Sequence, residues 1–184
     1  MNLLYPKVPK SQWEPLWKSA LTGFVIAAVY GVVHDLFTFS IGPEYFTRLK
    51  FDQFAWANVG QAPAVFAATV GAIASGVVGL FGGWFLARVA LPRHPQEIAR
   101  RRIRTGILIT FALALCGAVC GYAYGLIRGP NADYSFWSAT VDPLRIEDKY
   151  AFIRVAYIHN GSYLGGVVGL VIGLVKARKK CGVK

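Results

Sequence analysis

Four long apolar segments constrain this chain more than any other feature of its sequence. Each reaches the roughly 20 residues that an α-helix needs to cross about 30 Å of hydrocarbon. Because backbone groups in lipid must satisfy one another, such segments cross as helices. The sequence therefore predicts an all-α fold, a polytopic membrane four-helix bundle forming a single integral membrane domain over residues 1–184. The predicted spans cover residues 19–39, 63–88, 105–127 and 152–175.

The charged residues predict how the chain is oriented. They make up only 16% of the sequence, against about 25% in soluble domains. Most of the basic residues precede the first span, separate the second from the third, or follow the fourth. By the positive-inside rule, both termini are cytoplasmic, and the connections near 40–62 and 128–151 lie outside.

The same distribution predicts the partners of the chain. The net charge of +11 could suggest nucleic acid, but the basic stretch "RHPQEIARRRIR" directly adjoins an apolar span. Such stretches bind anionic lipid headgroups. We therefore expect a multi-pass protein of the bacterial inner membrane whose partner is the lipid bilayer, with no nucleic-acid partner.

The second and fourth spans resemble each other. "GVVGLFGGWFLAR" at 76–88 matches "GVVGLVIGLVKAR" at 166–178, an offset of 90 residues. The first and third spans share a shorter similarity, "VYGVV" at 29–33 against "AYGLI" at 123–127. These matches predict a tandem repeat of a two-helix hairpin, with both copies in the same orientation across the membrane.

Small residues recur every four positions along each span. At this spacing they share one helix face and let two helix backbones approach closely. The pattern predicts tight packing within the bundle, or self-association as a homo-oligomer or in a larger membrane complex where such a face points outward. The small residues are Gly23, Ala27 and Gly31; Gly71, Ser75, Gly79 and Gly83; Gly117, Gly121 and Gly125; and Gly161, Gly165, Gly169 and Gly173.

The candidate functional residues lie near the outer ends of the first and fourth spans. His34 shares the small-residue face of the first span, Asp35 follows it, and His159 lies at a similar depth in the fourth span. Ionisable residues in spans are costly, usually face inward and mark functional sites. We therefore expect the two imidazoles to lie close together with a carboxylate in reach.

One interpretation is a metal site. His34 and His159 would supply imidazole ligands, and Asp35 or Glu44, from the following connection, would supply a carboxylate. Two histidines and a carboxylate form a ligand set suited to a transition metal such as zinc, iron or copper. The protein would then be a membrane-embedded metalloprotein with redox or hydrolytic chemistry.

Two other interpretations stay open, and the first of them is the one that the sequence favours. In the first, the histidines and Asp35 form a structural hydrogen-bond network between helices, joined by Asn160, Ser162 and Tyr163, in a small accessory subunit. In the second, they handle ions or protons in a transporter, because imidazole titrates near neutral pH. The sequence contains no motif that names a reaction, so whether the protein is an enzyme stays open.

Two stretches, "YGVVHDLFTFSIGPEYFTRLKF" and "YIHNGSYLGG", resemble a family of small, functionally uncharacterised bacterial four-span integral membrane proteins. The resembling features are HD after YG, EYF in the following connection and HNGSY in the last span, and the resemblance covers most of the chain. It implies a four-helix arrangement and no particular activity. It singles out His34, Asp35, Glu44, His159 and Tyr163.

Overall fold

Four long helices form the protein. The computed structural model describes residues 8–179, which contain helices, turns and connections but no strand. Each long helix is apolar and long enough to cross a membrane and extends beyond the span predicted for it, so the predicted all-α four-helix bundle is confirmed. The helices are α1 (Trp13–Ile41), α2 (Pro63–Ala90), α3 (Gln96–Arg128) and α4 (Lys149–Arg178).

Local sequence sets the helix ends. Pro63 opens α2, a position where a missing N–H costs nothing. Gly42 terminates α1, and Gly129, with a φ of +69°, terminates α3 in a left-handed conformation that glycine adopts without strain. The Asp148 carboxylate caps α4 by accepting the Ala151 N–H at 2.9 Å.

The helices pair as two antiparallel hairpins, α1 with α2 and α3 with α4. Gly31 faces Gly71 at the α1–α2 contact, and Gly117 faces Gly161 at the α3–α4 contact. A Cβ atom at any of these four positions would collide with the backbone of the facing helix. The small residues therefore set how closely the helices of each hairpin approach.

These contacts correct the alignment of α1 with α3. Gly71 and Gly161 are equivalent in the repeat, and their facing partners are Gly31 and Gly117. The short sequence similarity instead matched Gly31 with Gly125, which lies about two helical turns further along α3 and packs against the side chain of Arg154. Equivalent positions in the two hairpins are those at which small residues of the paired helices meet, and the five-residue similarity does not identify them.

Contact between the hairpins is uneven. Helix α2 packs against both α3 and α4, whereas α1 touches α3 at few points. Two apolar clusters fill the interior, one towards each end of the bundle. The first includes Leu16, Leu86 and Ile103, and the second includes Phe46 and Phe152.

The described ends of the chain lie beside the short connection between α2 and α3. The Gln12 side chain donates to the Leu91 carbonyl at 3.1 Å, and the His94 ring lies 3.0 Å from the Ala177 carbonyl oxygen. The basic connection and the two ends of the chain thus share one end of the bundle, as the predicted orientation requires. The remaining basic residues of this charge pattern, Lys7, Lys180 and Lys184, lie outside the described residues.

Candidate functional site

His34, Asp35 and His159 form a buried cluster towards the end of the bundle opposite the α2–α3 connection. One ring nitrogen from each histidine and one Asp35 oxygen lie within 4.8 Å of one another. The imidazole centroids are 4.7 Å apart, and the ring planes are nearly perpendicular at 81°. Asp35 is 6% exposed and His159 is 2% exposed, whereas His34 is half-buried. The predicted buried cluster of histidine and aspartate is therefore confirmed.

His34 and Asp35 are neighbours on α1, but helix geometry gives them different contacts. Successive residues on a helix project about 100° apart, so His34 and Asp35 point in different directions. Asp35 faces α2 at the position of Gly71, where an added Cβ atom would lie 2.9 Å from the Asp35 Cβ. The absence of a side chain at Gly71 thus makes room for Asp35 to reach His159.

The contacts of His159 define where its protons lie. Its Nδ1 is 3.0 Å from the Val155 carbonyl oxygen, which can only accept, so Nδ1 carries a proton and donates it. Its Nε2 is 3.3 Å from Asp35 Oδ1. An unprotonated Nε2 would direct a lone pair at an ionised carboxylate. The pair therefore requires a proton or a metal ion between its two atoms.

His34 has a partner for one nitrogen only. The Tyr30 hydroxyl lies 3.2 Å from His34 Nδ1 and 2.7 Å from the Ser162 hydroxyl. When Tyr30 donates to Ser162, it accepts from His34 Nδ1, and His34 Nε2 then carries a lone pair. That Nε2 atom is buried and has no hydrogen-bond partner among the described residues. A buried nitrogen without a partner is uncommon in native structures and calls for an explanation.

Aromatic residues from the connection between α1 and α2 cover the cluster. The rings of Tyr45 and Phe46 lie against the His159 ring, with centroid separations of 4.7 Å and 5.9 Å. Both side chains are buried, and Phe46 begins a single π-helical turn that ends at Lys50. Such irregular turns are frequent at functional sites. The two rings therefore enclose His159 on the side of the α1–α2 connection.

Lys50 adds a positive charge above this cover. Its ammonium lies 5.7 Å from the centroid of the Tyr45 ring and 6.0 Å from that of the Tyr163 ring. Burial lowers the pKa of Lys50, and the negative charge of Asp35 partly opposes this shift. No local pattern in the sequence predicts where Lys50 lies, because its position over these rings depends on how the connection folds over the helices.

Glu44 lies outside the cluster. Its carboxylate accepts the backbone N–H groups of Glu147 at 3.1 Å and Asp148 at 2.8 Å. These donors precede the first turn of α4, where unpaired N–H groups favour a carboxylate. Asp35, the other carboxylate that the sequence offered, is therefore the acidic member of the cluster, and Glu44 ties the connection between α1 and α2 to α4.

The predicted network residues are only partly joined to the cluster. Ser162 is buried and bonded to Tyr30, Tyr163 is half-exposed with its ring 5.9 Å from that of His159, and Asn160 is exposed. Tyr30 itself was not named as a site residue. Its position four residues before His34, on the same helix face, was the available signal.

Comparisons with protein-family models, with curated proteins and with solved structures find no match to this chain. The function proposed for the cluster therefore rests on its own geometry and chemistry.

Proposed function

We propose that this protein is a bacterial inner-membrane metalloprotein in which His34, Asp35 and His159 hold one transition-metal ion. The observation that carries the proposal is the buried, unpartnered Nε2 of His34 beside the close contact of His159 Nε2 with Asp35. A cation among these atoms would give His34 a partner. It would also remove the conflict between the two lone pairs of His159 and Asp35.

The spacing of the donor atoms fits this proposal. Bonds of about 2.0 Å at a tetrahedral angle place two ligand atoms about 3.3 Å apart. His159 Nε2 and Asp35 Oδ1 are separated by 3.3 Å. The full set spans up to 4.8 Å, so the third donor would move inward on binding.

The groups that hydrogen-bond to the two imidazoles also suit a metal site. Ligating histidines usually donate their second N–H to a carbonyl or another acceptor, which fixes the ring orientation. The Val155 carbonyl accepts from His159 in this way, and the Tyr30 hydroxyl is placed to accept from His34. Imidazole and carboxylate ligands suit zinc, iron or copper. Three protein ligands would leave a position open for redox or hydrolytic chemistry.

The membrane orientation is part of the proposal. The basic residues support cytoplasmic termini, which would place the cluster towards the outer face. We also propose that the chain belongs to the four-span bacterial family that it resembles. It would function alone, as a homo-oligomer, or within a larger membrane complex.

A structural network in an accessory subunit is the second candidate. Both nitrogens of His159 have protein partners, and the Tyr30–Ser162 bond joins α1 to α4. In that case a proton lies between His159 and Asp35, and the cluster only fixes how the hairpins pack. Ion or proton transport is less well supported, since the inner end of the bundle is filled by apolar residues such as Leu86 and Ile107.

The metal content of the protein purified in mild detergent tests the proposal. We expect about one ion per chain after loading with Zn²⁺, Fe²⁺ or Cu²⁺ in separate samples, measured by mass spectrometry of the elements. His34→Ala and His159→Ala should lose that ion. His94→Ala is the matched control, since His94 bonds to Ala177 at the opposite end of the bundle.

The two candidates predict different outcomes. Wild-type protein that binds none of the three metals, together with His34→Ala and His159→Ala variants that melt earlier, would support the structural network and reject the metal site. Equal loss of metal in the His94→Ala variant would show that binding at the cluster had not been measured.

A further inference from the structure

A groove runs along the bundle where α1 and α3 barely touch. Its volume is about 680 Å³, within the range of pockets that bind small molecules. The walls are apolar except for Tyr30, His34 and the Tyr122 hydroxyl, and no charged residue lines them. The apolar walls include Val29, Val33, Phe37, Phe111, Leu115 and Val119.

The groove reaches the buried cluster through His34. Of the three cluster residues, His34 alone lines the groove, whereas Asp35 faces α2 and His159 is almost fully buried. Tyr45 and Phe46 cover the cluster from the connection between α1 and α2. A molecule larger than an ion therefore reaches His34 most directly from the side, between α1 and α3.

The lining shows that the lateral route opens to lipid. Val29 and Val33 of α1 and Val119 of α3 are groove residues that are also exposed on the apolar surface of the bundle. In a membrane protein such a surface contacts hydrocarbon. A molecule entering here comes from the bilayer interior, so it has to be lipophilic.

The lining also restricts the head group of that molecule. A carboxylate or phosphate would lose its hydration without a compensating charge, because the groove has no cationic residue. Rings from both helices meet at two levels: Tyr30 with Phe111 at a centroid separation of 5.5 Å, and Phe37 with Tyr122 at 6.0 Å. Phe37 and Phe111 stay partly exposed, so a flat, neutral ring can pack against them.

We propose that the groove binds a lipophilic quinone, with the ring beside His34 and Tyr30 and the tail along the apolar walls. A quinone is neutral and planar and dissolves in the bilayer. The inference rests on the proposed function in one respect: it names the substrate class of the same metal site. The binding itself depends only on the groove.

Fluorescence quenching in nanodiscs tests the proposal, with decylubiquinone as the probe. A Phe111→Trp variant places a reporter on the groove wall, and Phe81→Trp places one on the exposed surface of α2, outside the groove. After subtraction of the wild-type signal, we expect the Phe111→Trp reporter to quench saturably. Half-quenching should occur at a quinone-to-lipid ratio at least about tenfold lower than for Phe81→Trp.

Filling the groove provides a second measurement. Ala118 is a buried groove residue, and Ala112 is an exposed residue of the same helix that does not line the groove. Added to Phe111→Trp, the substitution Ala118→Leu should remove the saturable quenching, and Ala112→Leu should leave it. Quenching that rises equally with quinone content at Phe111→Trp and Phe81→Trp would overturn the proposal, as would full displacement of the quinone by equimolar oleic acid.

Repeating the titration after metal removal by a chelator separates this inference from the proposed function. Saturable quenching in a protein that binds no metal in any sample would reject the metal site and support the quinone groove. Absence of saturable quenching in a protein that binds one metal ion per chain would reject the quinone groove and leave the metal site supported.

Discussion

At the scale of single residues, Tyr30 links His34 of α1 to Ser162 of α4. Its hydroxyl contacts His34 on its own helix and Ser162 on α4. It thereby orients the His34 ring and selects which nitrogen carries the proton. In the proposed metal site, Tyr30 is a positioning residue that does not touch the ion.

Tyr30→Phe should weaken metal binding without removing a ligand. Loss of a group that orients a ligand typically costs 10–100-fold in affinity, and we expect a decrease of about that size in a competition titration with a chromophoric chelator. Tyr124→Phe is the control, because Tyr124 lies on α3 and packs against Tyr157. Unchanged affinity in Tyr30→Phe would show that His34 is oriented by other contacts.

Asp35→Ala should destabilise the protein even in the absence of metal. The substitution leaves the buried Nε2 of His159 without a partner, which costs about 1–3 kcal/mol. Asp35→Asn should cost less, because its amide oxygen can still accept from a protonated His159. Thermal unfolding in detergent measures both variants. Equal melting temperatures for Asp35→Ala and wild type would mean that the contact with His159 adds nothing to stability.

At the scale of helices, some glycines of α4 are packed tightly against α3, and others have room for a side chain. A Cβ atom at Gly169 would lie 2.6 Å from the Thr110 Cα of α3, closer than such atoms can approach. A Cβ atom at Gly166 would have the Ala114 Cβ, at 3.8 Å, as its nearest neighbour, an ordinary contact distance. Of these two glycines, only Gly169 is therefore required by the packing of α3 against α4.

Gly169→Leu should lower the stability of the second hairpin, and Gly166→Leu should have a much smaller effect. Overpacking typically costs about 1–3 kcal/mol, and the rigid Thr110 backbone leaves little room for relaxation. Denaturation in a mild detergent, followed by circular dichroism, compares the two variants. If Gly166→Leu is as destabilising as Gly169→Leu, the packing contact is not the cause.

Glu44 connects two elements that are far apart in the sequence. Glu44→Ala removes both hydrogen bonds to the backbone before α4 and should cost about 0.5–3 kcal/mol. Metal binding should be retained, since Glu44 lies outside the cluster. Unfolding and metal content measured on the same preparation check both expectations. Loss of metal from a stable Glu44→Ala protein would indicate that Glu44 is a metal ligand.

At the scale of the whole molecule, the orientation across the membrane decides which compartment the cluster faces. Reporter fusions after Arg104 and at the C-terminus should report the cytoplasm, and fusions near Gln53 and Asp142 should report the other side. The reason is the basic charge at the end of the bundle that holds the α2–α3 connection. An external C-terminus would contradict both the orientation and the count of four spans.

The amino-acid sequence by itself determined the four helices and the level along them at which the two histidines lie. Both depend on regularities within one segment: the length of an apolar run, the four-residue spacing of glycine, and the depth of His34 and His159 from the basic ends. These features follow from the geometry of a single helix in a membrane, so they can be read without knowing which segments meet.

Tertiary structure decided which carboxylate reaches the histidines and how the cluster is enclosed. Asp35 reaches His159 because Gly71 of another helix leaves space, and Glu44 is drawn instead to the N–H groups before α4. The covering rings of Tyr45 and Phe46, and the groove between α1 and α3, likewise depend on how two hairpins and a connection lie together. Contacts between distant segments depend on the relative placement of whole elements, which no local pattern in the sequence encodes.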